Sequence, residues 1–173
     1  LVIPHHIGYG KNKRGINWDF YNSRLSPFVE IFSMHGCSID EDNPFTMLHD
    51  MGTLKGNGTA ISGWAKNKIF GVIGSTDHHG GYPGSFGQGR MAVISKNSSK
   101  KELWNAFKKR RVYAATGEKI NIFFKINNMH MGSKINKCKT RSVKIEVSSI
   151  SALESVILFK NDKKYKVFNI KSK

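Results

Sequence analysis

Cysteine is scarce in this chain of 173 residues: there are two, Cys37 and Cys138, far apart and in no CxxC pair. That excludes a disulfide scaffold and a cysteine zinc site, and it fits a reducing or merely tolerant compartment. Long apolar runs are missing too. None approaches the roughly 20 residues that a membrane-spanning helix needs, and Leu1 to Ile3 opens with no basic segment of the kind that leads a signal peptide. There is no GxSxG elbow, no Walker A loop and no GxGxxG between a strand and a helix. Internal repeats and low-complexity segments are likewise absent.

Acidic residues are few, 12 against 28 Lys and Arg, for a net charge of +16. Such an excess raises the question of a nucleic-acid partner. Residues 113–173 carry 13 of the cations against 4 acids. Yet these lysines are scattered among strand residues, as in KCKTRSVK and FKNDKKYKVF, without an interleaved aromatic platform. A solvated basic face is the favoured reading, and a nucleic-acid-binding module is the least favoured of the three functions weighed.

What is present is a set of short apolar runs, LVIP (1–4), FVEIFS (28–33) and IFGVIGST (69–76). Runs of this length and continuity are expected of strands covered on both faces, as in parallel sheets. Each run empties into histidine: His5 and His6, then Met34 and His35, then Asp77, His78 and His79. In parallel α/β folds functional groups collect at the carboxyl ends of strands, so three such strands in one sheet would gather these residues on one rim. The chain begins in mid-strand, which reads as a truncation.

Two helices are expected, a short one over Thr59–Asn67 and a firmer one from Ser99. In the second, Ser99 and Glu102 make a capping box, and Leu103, Trp104 and Phe107 form an apolar stripe. RMAVIS, from Arg90, reads as a strand. From Ile120 the pattern alternates and is broken by Asn127-Asn128 and Asn161-Asp162, which marks an antiparallel module resembling half a sandwich. The boundary falls near Thr116 to Glu118, giving units of 1–117 and 118–173.

The chemistry concentrates at Asp77. In an extended strand residues i and i+2 point the same way, so Asp77 and His79 face one site while His78 faces away. A carboxylate beside an imidazole suits zinc, manganese or iron. A lone DxH is a weak signal, strengthened here by the strand end before it and by GGYPGSFGQG after it, whose glycines let backbone approach a bound group. His5 and His6 follow Pro4, and they stand between a ligand role and a structural one. Glu30, inside an apolar strand, is costly to ionise unless paired or metal-bound, or else lies on an edge strand facing water. His35, two residues beyond the strand, stands between a role at the site and loop packing. Arg90, beside the glycine run, can receive an anion or pair structurally. His49 and His130 read as surface residues.

Taken together, IPHHIGY, INWDFYN, PFVEIFSMHGCS, GVIGSTDHHGGYPGSFGQGRMAV, ELWNAFKKRRVYAATG and INNMHMG resemble the DUF3604 family, over nearly the whole chain. That family is a branch of the PHP superfamily of metal-dependent phosphoesterases, named for polymerase and histidinol phosphatase. The resemblance implies an α/β fold, the carboxyl-terminal portion of a distorted, TIM-like (β/α) barrel over 1–117. A small antiparallel β-module would follow over 118–173. It implies two or three divalent metal ions, with the family's late D-x-H matching Asp77 and His79 as metal ligands. An earlier strand-end histidine matches His5, with His6 standing where the family has proline, as an extra ligand or a substrate contact. Glu30 and His35 would orient ligands or protonate a leaving group, and Arg90 would receive phosphate oxygens.

The family's first motif, H-x-H, has no counterpart here and would lie before Leu1. The expectation is therefore a fragment of a metal-dependent hydrolase, a phosphoesterase acting on a small or phosphorylated substrate through metal-activated water. The alternative is a non-catalytic metal- or ligand-binding remnant.

Overall fold

The computed structural model of the protein describes residues 1–10, 13–43, 58–85 and 88–170. His49, Phe86 and Gly87 lie outside these. The longest buried stretch is β1 (Phe28–Ser33), with every residue inside. It is followed at once by β2 (Gly36–Cys37), which pairs back antiparallel, Phe32 opposite Cys37. On its other side runs β3 (Gly71–Gly74), parallel to β1 and in register from Phe28↔Gly71 to Glu30↔Ile73 before a slip to Phe32↔Gly74.

Between β2 and β3 lies the six-residue helix α1 (Ala60–Ala65). It is capped by the Thr59 side chain, which accepts from the Ser62 amide. The helix rests on Trp18, whose indole N–H donates to the Thr59 carbonyl at 3.1 Å. Gly63 makes that approach possible, because a Cβ there would meet the indole at 2.7 Å. Phe70 stacks between Trp18 and Trp64, with ring centroids 4.8 and 5.2 Å away. These rings, with Ile7, Val29, Ile31 and Phe32, build the main core.

The hairpin β4 (Arg90–Val93) and β5 (Val112–Ala115) is joined through α2 (Lys100–Lys108) and closes a second cluster of Phe28, Ile73 and Val112 with Phe107. Ser99 caps α2 by accepting from the Glu102 amide. The Glu102 carboxylate, however, accepts from Asn105 at 3.4 Å.

Beyond Ala115 every strand pairs antiparallel. β6 (Ile120–Ile126) lies between β7 (Met129–His130) and β8 (Val143–Ser149). The hairpin β9 (Ser155–Lys160) and β10 (Lys163–Asn169) forms a separate sheet. Both tight turns, Asn127-Asn128 and Asn161-Asp162, have positive φ at both residues, as the twist of two-residue hairpins requires. His130 belongs to β7 and is half-buried against Phe123, rather than lying on the surface. Among the described residues no helix is long and apolar enough to cross a membrane.

The expected α/β barrel portion is overturned. The described strands form four small sheets, in which β1 with β3 is the one parallel pair. The two α-helices among the described residues are too short and too few to alternate with strands as barrel layers. The apolar runs were misleading for a physical reason: burial on both faces demands cover, whatever supplies it. β1 sends Val29 and Ile31 into the cluster with Trp18, Ala60 and Phe70, and Phe28 into the cluster with Ile73, Val112 and Phe107. Leu1 to Ile3 form no strand and stay exposed, held to the rest by the Val2 amide donating to the Leu25 carbonyl.

Candidate metal centre

Three chain segments reach the same rim because the backbone ties them there. The Pro4 carbonyl accepts from the Glu30 amide at 2.9 Å, which sets the exit of His5 and His6 beside β1. The Ser75 amide donates to the Phe32 carbonyl at 2.9 Å, and the Met34 amide to the Thr76 carbonyl at 3.3 Å. The ends of β1 and β3 are thus fastened level with each other, and His35 and Asp77 leave side by side.

Asp77 stands at the centre. Its Oδ2 lies 2.9 Å from His6 Nε2, 3.4 Å from His35 Nε2 and 3.8 Å from His5 Nδ1, while Oδ1 lies 3.9 Å from His79 Nε2. Oδ2 is buried, yet no hydrogen-bond donor is aligned on it. Two groups of donor atoms share this carboxylate: His5, His6, Glu30 and Asp77, and His35, Asp77 and His79, each with all its atoms within 4.8 Å of one another. Imidazoles and carboxylates at this spacing fit a borderline divalent ion.

Backbone conformation supports the arrangement. His6 has φ +54° and Asp77 φ +48°, a region that bulky residues enter at a cost and that clusters at functional sites. The pairing of Asp77 with His79 therefore does not come from strand alternation. β3 ends at Gly74, and the left-handed turn at Asp77 redirects the chain. His78 does point elsewhere, its Nδ1 accepting from the Gly80 amide and its ring meeting Tyr82 edge-on.

Electrostatics keep the inner side chains in distinct states. Burial, and after it the charge of His5, brings the His6 pKa down to about 4, so its imidazole is neutral at neutral pH with a lone pair to offer. Asp77 works against that shift, while His35 and Arg14 add to it. Glu30 is buried within β1, which excludes the edge strand facing water. Burial raises its pKa, and the Ser75 hydroxyl, which donates to Glu30 Oε2, counters part of the rise.

The structure therefore brings together His5, His6, Glu30, His35, Asp77 and His79. Arg90 is not among them, for it opens β4 and its guanidinium donates to the Gly84 carbonyl at 3.0 Å. Two residues at the site escaped the sequence reading. Ser75 stands two positions before Asp77 and holds Glu30. Tyr9 is buried, stacks on His6 at 4.9 Å and 21°, and follows it by three residues across a turn closed by the Tyr9 amide and the His6 carbonyl. That three-residue spacing within HHIGY was the available signal.

No family model matches the chain, and no solved structure matches it. It is similar to an uncharacterized protein of Chlamydia trachomatis serovar D, 31% identical over 135 residues, which covers 72% of this chain and 22% of that protein. A counterpart in Chlamydia muridarum is 30% identical over 135 residues, with the same coverage. A third, in Chlamydia pneumoniae, is 26% identical over 166 residues, 86% of this chain and 27% of that protein. The chain thus spans about a quarter or less of the length of the curated relatives it matches.

Proposed function

We propose that the protein binds divalent metal through the Asp77 cluster and belongs to a metal-dependent hydrolase acting on phosphate esters. The observation that carries this reading is the sharing of one half-buried carboxylate, Asp77, between two groups of histidine and carboxylate donors. His5, His6 and Glu30 would hold one ion together with Asp77, and His35 and His79 a second with the same carboxylate. Divalent ions in such a site supply Lewis acidity to water and to a phosphoryl oxygen. The chain's own residues do the rest. Burial keeps His6 unprotonated, Ser75 orients Glu30, and the ties between β1, β3 and Pro4 hold the donors in place before an ion arrives.

The phosphate-ester class rests on the resemblance of the D-x-H segment and its surroundings to PHP-type phosphoesterases. The test is turnover of a simple aryl phosphate by the chain loaded with zinc, manganese or iron(II), beside the Asp77→Asn variant. Asparagine tolerates the left-handed backbone while removing the charge. Hydrolysis that depends on added metal and disappears in the variant supports the reading. Metal binding without turnover favours the non-catalytic remnant.

A further inference from the structure

Beyond Ala115 none of the described hydrophobic side chains is buried, although the strands there alternate as core strands do. The ladder between β6 and β8 sets Ile122 opposite Val147, Phe124 opposite Ile145 and Ile126 opposite Val143. Residues opposite each other share a face, so three successive rungs of one face are apolar. The β9–β10 hairpin has a similar face, on which Val156 meets Phe168 and Leu158 meets Lys166. The two faces line one cavity of about 570 Å³, with Val143, Ile145 and Val147 on one wall and Val156, Leu158 and Phe168 on the other. Sheets packed as a sandwich interdigitate about 10 Å apart and leave no such space. A second cavity of about 160 Å³ shares Val143 and Leu158 with the first and reaches Phe124 and Ile126.

The charge around this slot has one sign. Arg141 lines both cavities, Lys166 the larger and Lys160 the smaller, and among the described residues no aspartate or glutamate lines either. None of these three cations joins an ion pair among the described residues, and the two lysines lie over the Phe168 and Tyr165 rings, at 4.9 and 5.4 Å. Apolar walls with a few cations select a ligand that has a hydrocarbon body and an anionic end. A second copy of the chain does not answer to that, because each copy carries a net charge of +16. An extended peptide does not either, since its amide and carbonyl groups would meet only hydrocarbon between two sheet faces. A helix about 10 Å across would fill the larger cavity in about one and a half turns, too little to anchor it. A hydrocarbon chain brings no polar group into the slot, and a space of this size takes one chain, not the two of a phospholipid.

We propose that the slot between the β6–β8 sheet and the β9–β10 hairpin binds one long-chain carboxylate, with its hydrocarbon between the two sheet faces and its head group on Arg141. A guanidinium offers paired N–H donors that match a carboxylate, and Arg141 is the cation common to both cavities. Lys160 and Lys166 add positive charge. The slot shares no residue with the Asp77 cluster, so this assignment stands apart from the metal reading.

The experiment measures the binding of palmitate, of hexadecanol and of phosphatidylglycerol vesicles by the whole chain and by Arg141→Gln, Leu158→Glu and Ile157→Ser, with the oligomeric state of each read by sedimentation. Wild type should take up one palmitate per chain and bind hexadecanol about tenfold more weakly, the worth of one hydrogen bond to a charged group. Arg141→Gln, at an exposed position, should lose several-fold in affinity for palmitate and nothing for hexadecanol. Leu158→Glu puts a charge on the apolar wall and should lose both ligands, while Ile157→Ser, on the opposite face of the same strand, should lose neither. Palmitate held no better than hexadecanol, or held equally by wild type and Arg141→Gln, would overturn the assignment. A ligand-free dimer dispersed by Leu158→Glu would give the slot to a second copy and overturn it as well. Vesicle binding without uptake of free palmitate would give it to a membrane surface, with the same consequence. Each of these outcomes leaves the metal centre standing.

Discussion

His6 Nε2 and Asp77 Oδ2 lie 2.9 Å apart, and both residues occupy left-handed backbone conformations that their side chains disfavour. Two strained residues meeting at one contact mean that the surrounding structure holds them there. The Pro4–Glu30 and Phe32–Ser75 backbone bonds are the visible restraints.

The first prediction concerns acid. His6 has its ordinary pKa of 6.5 when unfolded and about 4 when folded, so between these values the unfolded chain binds the extra proton. The metal-free protein therefore loses stability as pH falls from about 6.5 to about 4, by on the order of 3 kcal/mol if the whole shift is realised. Glu30 acts in the opposite sense. Its folded pKa is raised, so its contribution is present in acid and lost as pH climbs through that raised value. Urea midpoints across this range, for wild type and His6→Asn, separate the two: the variant should flatten the His6 part.

The second prediction concerns Ser75. Ser75→Ala removes the hydroxyl that donates to Glu30 Oε2. Supporting bonds of this type are worth about 10–100-fold in metal affinity. Titration with manganese should show a loss within that range and no change in stoichiometry.

The third tests the core. In Gly63→Ala the new methyl would stand 2.7 Å from the Trp18 ring. Because Trp18 is fixed between Phe70 and Tyr21, the ring has little room to give. Overpacking of this kind costs about 1–3 kcal/mol, to be read from chemical denaturation.

Legibility from sequence divided along physical lines. Features set by a few neighbouring residues could be read directly: the Ser99 cap, the two asparagine-led turns, the strand FVEIFS. Partners of a strand could not. A continuous apolar run reports that both faces are covered, and β1 is covered by two side-chain clusters drawn from loops, short helices and the β4–β5 hairpin rather than by barrel layers. LVIP has the same texture as a buried strand but stays exposed, because hydrophobicity alone does not supply a neighbour. At the site, the residue types at Asp77, His79, His5 and His6 were informative, since carboxylates and imidazoles crowded at strand ends are costly without a role. The geometry joining Asp77 to His79 was not, for it depends on a left-handed residue that no alternation rule anticipates. Tyr9 and Ser75 were missed because hydroxyl groups become conspicuous only once their burial is known.

The central claim is that Asp77 anchors a metal centre, and its most direct test is metal content. The chain is purified without a chelating tag, equilibrated with zinc or manganese, and counted by mass spectrometry beside Asp77→Asn. One to two ions per chain in the wild type, falling below half an equivalent in the variant, is the predicted result, since losing a shared carboxylate weakens both donor groups. Equal metal in both proteins, or none in either, would contradict it.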